Sequence, residues 1–464
     1  MKDSIVFMSD GYKYTHWNQY PENTELIRSY LESRGGQFGN TCFFGLQGIL
    51  KEHFVGNVLT LDAIKEATPF FKDYFGGREI FNAGGWTRML EKHGGILPVS
   101  IRSVPEGTVV PVSNALMTVE NTDPEFPWLT NYLESLLLHV WYPTTVCTLS
   151  REIKILLLDY LEKSGASPEG IAFALNDFGF RGVSSVESAQ IGGAAHLVNF
   201  MGTDNVQGVR YAMKMYGAPV CGGSLPATEH STMTIKGREG EAGQVDRLLN
   251  ENPTGLIACV GDSYNMFEFI STILADRRDK ILARDGVFVT RPDSGDPPVM
   301  SVEVLNRLGE VFGHSTNEKG FKVLPPQVRS IYGDGINYDS IGDICEAVLA
   351  AGWSLENLVF GMGGALLQIV NRDTQKFATK VSQATIDGEN FDVYKDPITD
   401  PGKRSKRGHL KLIRKMGDHG EYFTTVPFSA EGEDHLIEVF RDGELLIDQR
   451  FEGVQAKATT SPPM

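Results

Sequence analysis

The stretch "GLIACVGDSYN", residues 255–265, is an apolar run that ends on Gly261 and Asp262 and passes directly into "MFEFISTILADRR", a helical pattern. Such a unit reads as strand, polar tip and helix. From about residue 170 it recurs. "GIAFALNDFGFRG" leads into "SSVESAQIGGAAHLV", and "VNFMGTDN" into "VQGVRYAMKMYG". "GVFVTRPDSGDP" precedes "VMSVEVLNRLGEVFG", "VRSIYGDGIN" precedes "YDSIGDICEAVLAAG", and "NLVFGMGG" precedes "ALLQIVNRD". With "PATEHST" (226–232) included, the polar tips fall near 177, 204, 229, 262, 293, 334 and 363. This alternation predicts βα units on a parallel sheet, and seven successive tips favour a closed or nearly closed barrel over an open sheet. In a barrel the tips share the face that carries the active site.

The flanks differ. "ELIRSYLESR" has the alternation of a strand, "FFGLQGILKEHFV" the spacing of a helix, and "ILPVSIRSVPEGTVVPVSNALMTVEN" reads as consecutive antiparallel strands. "PWLTNYLESLLLHVWYP" is expected to be a helix stopped by Pro143, with a second helix over "SREIKILLLDYLEKSG". After residue 380 the polar chain reads as strands and loops rejoining the first part, and the last residues, "VQAKATTSPPM", are expected to fray. The predicted fold class is α/β: an irregular βα-barrel over 151–380, with an α+β domain built from 1–150 and 381–464.

Among 464 residues, 43 are basic and 59 acidic, a net charge of −16 that disfavours nucleic-acid and anionic-membrane partners. The five cysteines (Cys42, Cys147, Cys221, Cys259, Cys345) show no CxxC pairing, which argues against a disulfide framework or a zinc site. The start has no signal-peptide core and no apolar run is long enough to span a membrane, so a cytoplasmic protein is expected.

The tips carry the chemistry. Glu229 and His230 stand side by side in "PATEHST". Asp262, Asp293 and Asp334 each follow an apolar run; singly each reads as a helix N-cap, but with Asp177 and Asp204 they form an acidic ring suited to ribose hydroxyls or a Mg²⁺-chelated diphosphate. Arg291 can grip a phosphate or lie over a planar ring, and Phe178 offers a stacking face beside Arg181. Gly363 and Gly364 let backbone N–H groups approach an anion. "KRSKRGHLKLIRK", from Lys403, is the one dense basic run; it reads as a solvated loop or a polyphosphate contact.

Together "DGYKYTHWNQYP", "NDFGFRGVSS", "AAHLVNFMGTD", "PATEHST", "RPDSGDP", "GDGIN", "FGMGGALLQ" and "YKDPITDPGKRSKRG" resemble the nicotinamide phosphoribosyltransferase family, of type II phosphoribosyltransferase fold, from about residue 8 to 450. The resemblance implies formation of nicotinamide mononucleotide and diphosphate from nicotinamide and phosphoribosyl diphosphate with Mg²⁺, as a step of NAD salvage. It implies a homodimer with shared active sites, and ATP hydrolysis coupled facultatively through a phosphohistidine at His230, oriented by Glu229 and Asp262. By the same carry-over Phe178 and Tyr12 of the partner subunit sandwich the nicotinamide, Asp204 accepts from the carboxamide, and Arg291 borders the ring. Asp293 and Asp334 hold the ribose and Arg181 faces the phosphates. Gly363 and Gly364, with Arg372 and Lys380, bind the 5′-phosphate, while Lys395 and Lys403 meet the diphosphate or ATP phosphates. Direct Mg²⁺ ligands stay open. The chain departs from vertebrate members in the short loop after Arg34 and at Ala258, Met362 and Ala378. A nicotinate-specific sister enzyme and a non-enzymatic ligand sensor are the rival readings; Asp204 disfavours the first, because a carboxylate substrate beside it would bring two buried like charges together.

Overall fold

The computed structural model describes residues 4–399, 404–417 and 420–460, so Lys403 lies outside the described residues. The chain divides into two compact units. The first comprises 1–148, 214–218 and 371–464, and the second comprises 149–213 and 219–370.

The first unit is built on a seven-stranded antiparallel sheet. Its order is Glu389–Asp392, Phe377–Ile386, Thr24–Ser33, Ala115–Asn121, Val99–Ser103, Ile437–Arg441 and Glu444–Leu445. Four strands from the C-terminal segment therefore flank the three N-terminal ones, two on each side: Leu31 pairs with Thr379, and Ile437 with Ser103. One apolar core, from Ile5 through Leu137 to Phe377 and Phe440, spans both segments.

The second unit holds the barrel. Its six-stranded sheet is parallel throughout, in the order Gly202–Thr203, Leu175–Asp177, Leu358–Met362, Val328–Tyr332, Phe288–Arg291 and Ile257–Val260. The segment 223–228 closes the gap between the first and last of these. Thr203 N–H donates to Gly223 O (2.9 Å), Ala258 N–H to Pro226 O (2.9 Å) and Thr228 N–H to Ala258 O (3.0 Å). The ring thus follows chain order, as right-handed βα repetition requires. Six of the seven expected tips sit one or two residues beyond a strand or this segment, and Asp177 is the last residue of its strand. Ala258, Val289 and Ile331 form the small buried interior, with Phe178, Leu225, Val287 and Val359 packed against it.

Two local expectations are corrected. Pro143 does not stop a helix; it lies in the first turn of Trp141–Lys163, where the first N–H groups lack intrahelical partners and a proline costs nothing. The C-terminal stretch forms the helix Phe451–Thr460, which buries Phe451, Val454 and Ala458, so most of it does not fray.

Candidate active site

Three acidic tips depart from the capping role that each residue type suggests alone. The helix caps lie three residues further on. Asn265 accepts from the N–H groups of Phe267 and Glu268, Asp296 from that of Val299, and Asn337 from that of Ser340. Asp262, Asp293 and Asp334 are thereby released toward the barrel mouth. Their convergence registers on Tyr332, whose hydroxyl is pushed up to about 12, first by burial and then by the charges of Asp334, Asp262, Asp296 and Asp293.

Asp262 is the most engaged of the three, its side chain only 6% exposed. One oxygen lies 2.9 Å from His230 Nε2; the other accepts from the Asp293 N–H (3.1 Å) and the Ser294 hydroxyl. Burial alone would raise this carboxyl, but the bonds from Ser294, His230 and the Asp293 amide prevail and hold it below the usual range. His230 is half exposed, and its Nδ1 lies 3.9 Å from Asp293 Oδ2. Glu229 does something different. It stands at the start of the short helix His230–Thr234, accepts from the Ser231 hydroxyl, and donates its own N–H to Thr232 Oγ1 (3.2 Å). The structure gives the imidazole to Asp262, and Glu229 caps the turn that presents it.

Phe178 and Asp204 occupy neighbouring tips. A Cβ on Gly361 would meet the Phe178 ring at 1.9 Å and one on Gly333 at 3.2 Å, so two glycines give the aromatic face its bed. Asp204 is exposed, accepts from the Ser224 hydroxyl, and its backbone N–H donates to Asp177 O (2.9 Å). Asp177 itself is fully buried and accepts from Gly179 N–H (2.7 Å) and Asn205 Nδ2 (2.9 Å). Burial pushes it up to about 6, with the Asp204 charge adding to the rise.

Arg291 approaches Asp293 at 3.8 Å, and its Nε, like Thr290 Oγ1 and Ser263 Oγ, is buried with no partner. Gly363 and Gly364 open the short helix Gly364–Leu367, next to the turn that carries Arg181: the position of a Cβ on Gly182 is 3.5 Å from the Gly364 nitrogen. Among the described residues, no group of three or more His, Cys, Asp or Glu gathers as a metal-binding set.

The remaining candidates lie in the first unit. Tyr12 is 58% exposed on the turn Gly11–Asn18 and meets His16 edge-on at 5.2 Å. Arg372 is exposed, 3.7 Å from Asp373. Lys395 is exposed, and its backbone exchanges bonds with Ser405. Lys380 is partly buried and held below the usual lysine range, first by desolvation and then by Arg34, Lys395 and Lys13, against the pull of Glu134. Arg34 and Lys13 are residues that sequence reasoning missed. Arg34 pairs with Glu32 at 2.8 Å while its Nη2 is buried and unpartnered, as is Thr379 Oγ1. Lys13, 6% exposed, holds Asn131 at 2.9 Å and Glu134 at 2.5 Å. Lys13 has partners more than a hundred residues away, and the pairing of Arg34 with nearby Glu32 leaves no sign of its unmet Nη2; Asn205 was legible only as the neighbour of Asp204.

The nicotinate phosphoribosyltransferase (NAPRTase) family model matches residues 173–443, and a nicotinamide phosphoribosyltransferase N-terminal domain model matches 4–101. A nicotinamide phosphoribosyltransferase of Xanthomonas campestris pv. campestris is 46% identical over 98% of both chains. One of Acinetobacter baylyi is 33% identical over 97% of this chain and 95% of its own. In structure, a Pyrococcus furiosus nicotinate-nucleotide pyrophosphorylase superposes with a TM-score of 0.61 at 15% identity, covering 98% of this chain and 94% of that one. Human nicotinic acid phosphoribosyltransferase gives 0.56 at 15% identity, covering 98% and 93%. These two share the fold. From the barrel, its acidic mouth and the full-length likeness to the bacterial relatives, the chain belongs to the nicotinamide phosphoribosyltransferase family and is a phosphoribosyltransferase.

Proposed function

We propose that the enzyme transfers the phosphoribosyl group to nicotinamide, yielding nicotinamide mononucleotide and diphosphate for NAD salvage in the cytoplasm. The observation that carries the amide preference is Asp204, fixed by Ser224 one tip away from the Phe178 face. A carboxylate there accepts from a carboxamide N–H and repels a pyridine carboxylate. In the reaction the pyridine nitrogen forms a bond to ribose C1 as the bond from C1 to the diphosphate oxygen breaks. The nitrogen carries no proton, so no general base is required. Phe178 positions the ring, and Tyr12 of the partner subunit covers the other face in a homodimer. Asp293 and Asp334 take the ribose hydroxyls. The orphaned Nε of Arg291 supports a ligand beside it, since an unmet buried donor costs about 1–3 kcal/mol.

Phosphates fall to the basic groups. Arg181 with Gly363 and Gly364 meets the sugar phosphate, and the cluster of Arg34, Lys380 and Lys395 supplies anion contacts, with Arg372 and Lys403 completing the set. The unmet Nη2 of Arg34 and the depressed Lys380 both suit an incoming anion. Mg²⁺ enters as part of the chelated diphosphate substrate, because Asp262 already spends both oxygens on His230, Ser294 and Asp293.

The His230–Asp262 pair supports facultative ATP coupling. With Nε2–H donating to Asp262, the lone pair rests on Nδ1 of the half-exposed ring. That nitrogen would bond the γ-phosphorus as the bond to the ADP oxygen breaks, and water would later release phosphate. The test is Asp204→Asn, which should lower the nicotinamide-to-nicotinate ratio of kcat/KM at least tenfold, the scale of about 1.4 kcal/mol of lost discrimination. An unchanged ratio would overturn the amide reading.

A further inference from the structure

We propose that Asn205 and Asp177 are a positioning pair, which ties the turn carrying Phe178 to the loop carrying Asp204 and so fixes the distance between the base's stacking face and its amide acceptor. The inference rests on the reading of Phe178 and Asp204 as the base site. Neither Asp177 nor Asn205 is exposed at all, so neither touches substrate; both act through their neighbours.

The geometry is specific. Asp177 Oδ1 takes the Gly179 N–H at 2.7 Å, which pins the backbone immediately after Phe178. Its Oδ2 takes Asn205 Nδ2 at 2.9 Å, across the 28 residues that separate the two tips. The same Nδ2 donates to Ala189 O (2.8 Å), and Asn205 Oδ1 accepts from Gly208 N–H (3.3 Å). The amide side chain thus bridges the start of one helix, the body of another and the carboxylate between them. The main chain repeats the link, with Asp204 N–H donating to Asp177 O (2.9 Å) and Phe178 N–H to Met362 O (3.0 Å).

The surroundings make room for this bond. A Cβ on Gly193 would lie 2.5 Å from Asn205 Nδ2 and 2.9 Å from Gly208 Cα, and one on Gly208 would lie 2.7 Å from the Gly193 backbone. The two helices therefore approach at paired glycines over the Asn205 amide. Asp177 keeps its bonds although burial disfavours its charge, a cost that a plain packing residue at this place would avoid. The ordering of two recognition elements by one buried network is what that cost sustains.

Asp177→Asn tests the tie with the side-chain volume kept. Asn Oδ1 still accepts from Gly179, but Asn Nδ2 then faces the Asn205 donor, and the bridge is broken. The full-length enzyme should stay folded with a modestly lowered melting temperature, because two buried donors then face each other, while KM for nicotinamide rises roughly fivefold or more and KM for phosphoribosyl diphosphate stays within about twofold. The nicotinamide-to-nicotinate ratio should fall in parallel, which a merely structural role would not produce. Asn205→Ala provides a second break from the other side. Unchanged nicotinamide KM in both variants, or equal rises in both KM values, would overturn the positioning role. Phe178→Ala and Asp204→Ala are measured alongside: if they raise nicotinamide KM while the pair variants do not, the tie alone fails. If they too leave it unmoved, the base-site reading fails with it.

Discussion

Replacing Gly361 by alanine should weaken nicotinamide binding without replacing any residue that contacts the ligand. The added Cβ would lie 1.9, 2.3 and 2.7 Å from three carbons of the Phe178 ring. Carbon atoms rest at about 3.5–4.0 Å, so the near edge of the ring must withdraw by roughly 1.5–2 Å. A Cβ placed on Gly333 would stand 3.2 and 3.4 Å from the same edge, so this second glycine also borders the ring. A ring displaced that far loses its face-to-face overlap with a bound pyridine. Aromatic stacking of a heterocyclic base contributes about 1–3 kcal/mol, or roughly 5- to 150-fold in affinity. Overpacking adds about 1–3 kcal/mol of destabilisation, visible as a lowered Tm. Steady-state assays at saturating phosphoribosyl diphosphate would read the first effect as a raised KM for nicotinamide. Gly342→Ala, where a Cβ meets nothing within 4 Å in the helix Tyr338–Ala350, is the control. The reasoning is refuted if Gly361→Ala leaves nicotinamide KM unmoved, or raises both substrate KM values alike.

Other outcomes follow from the same geometry. Asp262→Ala removes the partner of His230 Nε2 and should abolish stimulation by ATP and phosphorylation of the chain, while basal transfer persists; radiolabel from γ-labelled ATP measures it. Lys380→Ala should raise KM for phosphoribosyl diphosphate roughly tenfold and leave nicotinamide KM near its original value, the scale of a lost charge-assisted bond of about 1.5–3 kcal/mol. His196 is fully buried between Ser150 Oγ (3.0 Å) and Gly202 O (3.2 Å), and burial lowers its pKa to about 4. Its folded pKa lies below the unfolded value near 6.5, so its contribution is complete above that pH and lost as pH falls through about 4. Denaturant titrations should show up to about 3 kcal/mol less stability at pH 4 from this site, and His196→Gln should flatten that slope. Mixing Tyr12→Ala with Phe178→Ala chains should restore about a quarter of native activity if the site is shared, because half the random dimers carry one intact site; no recovery would place Tyr12 outside the partner's site.

Local chemistry made the barrel legible because the strands end on polar tips, and after three of them the helix cap follows at a fixed offset. Asp262 with Asn265, Asp293 with Asp296, and Asn337 after Asp334 repeat one design. Segment 223–228 reads poorly as a strand, since Pro226 and the small residues around it allow only single bridges on either side. What stayed hidden depends on distance along the chain. Arg34 is defined by Glu32 and an unmet Nη2, while that same Glu32 meets Lys406, 374 residues away. Pro143 was misread because the proline rule depends on which turn of a helix it enters. Of the two carboxylates that the resemblance sets beside the imidazole, Asp262 bonds His230 Nε2, while the Glu229 side chain accepts from Ser231 at the helix start.

The most direct test of the account is a product assay on the purified chain with phosphoribosyl diphosphate and Mg²⁺, offering nicotinamide or nicotinate, each with and without ATP. The account predicts mononucleotide and diphosphate in equal amounts from nicotinamide, little from nicotinate, and faster turnover with ATP. Preference for nicotinate, or no turnover of either base, would contradict it.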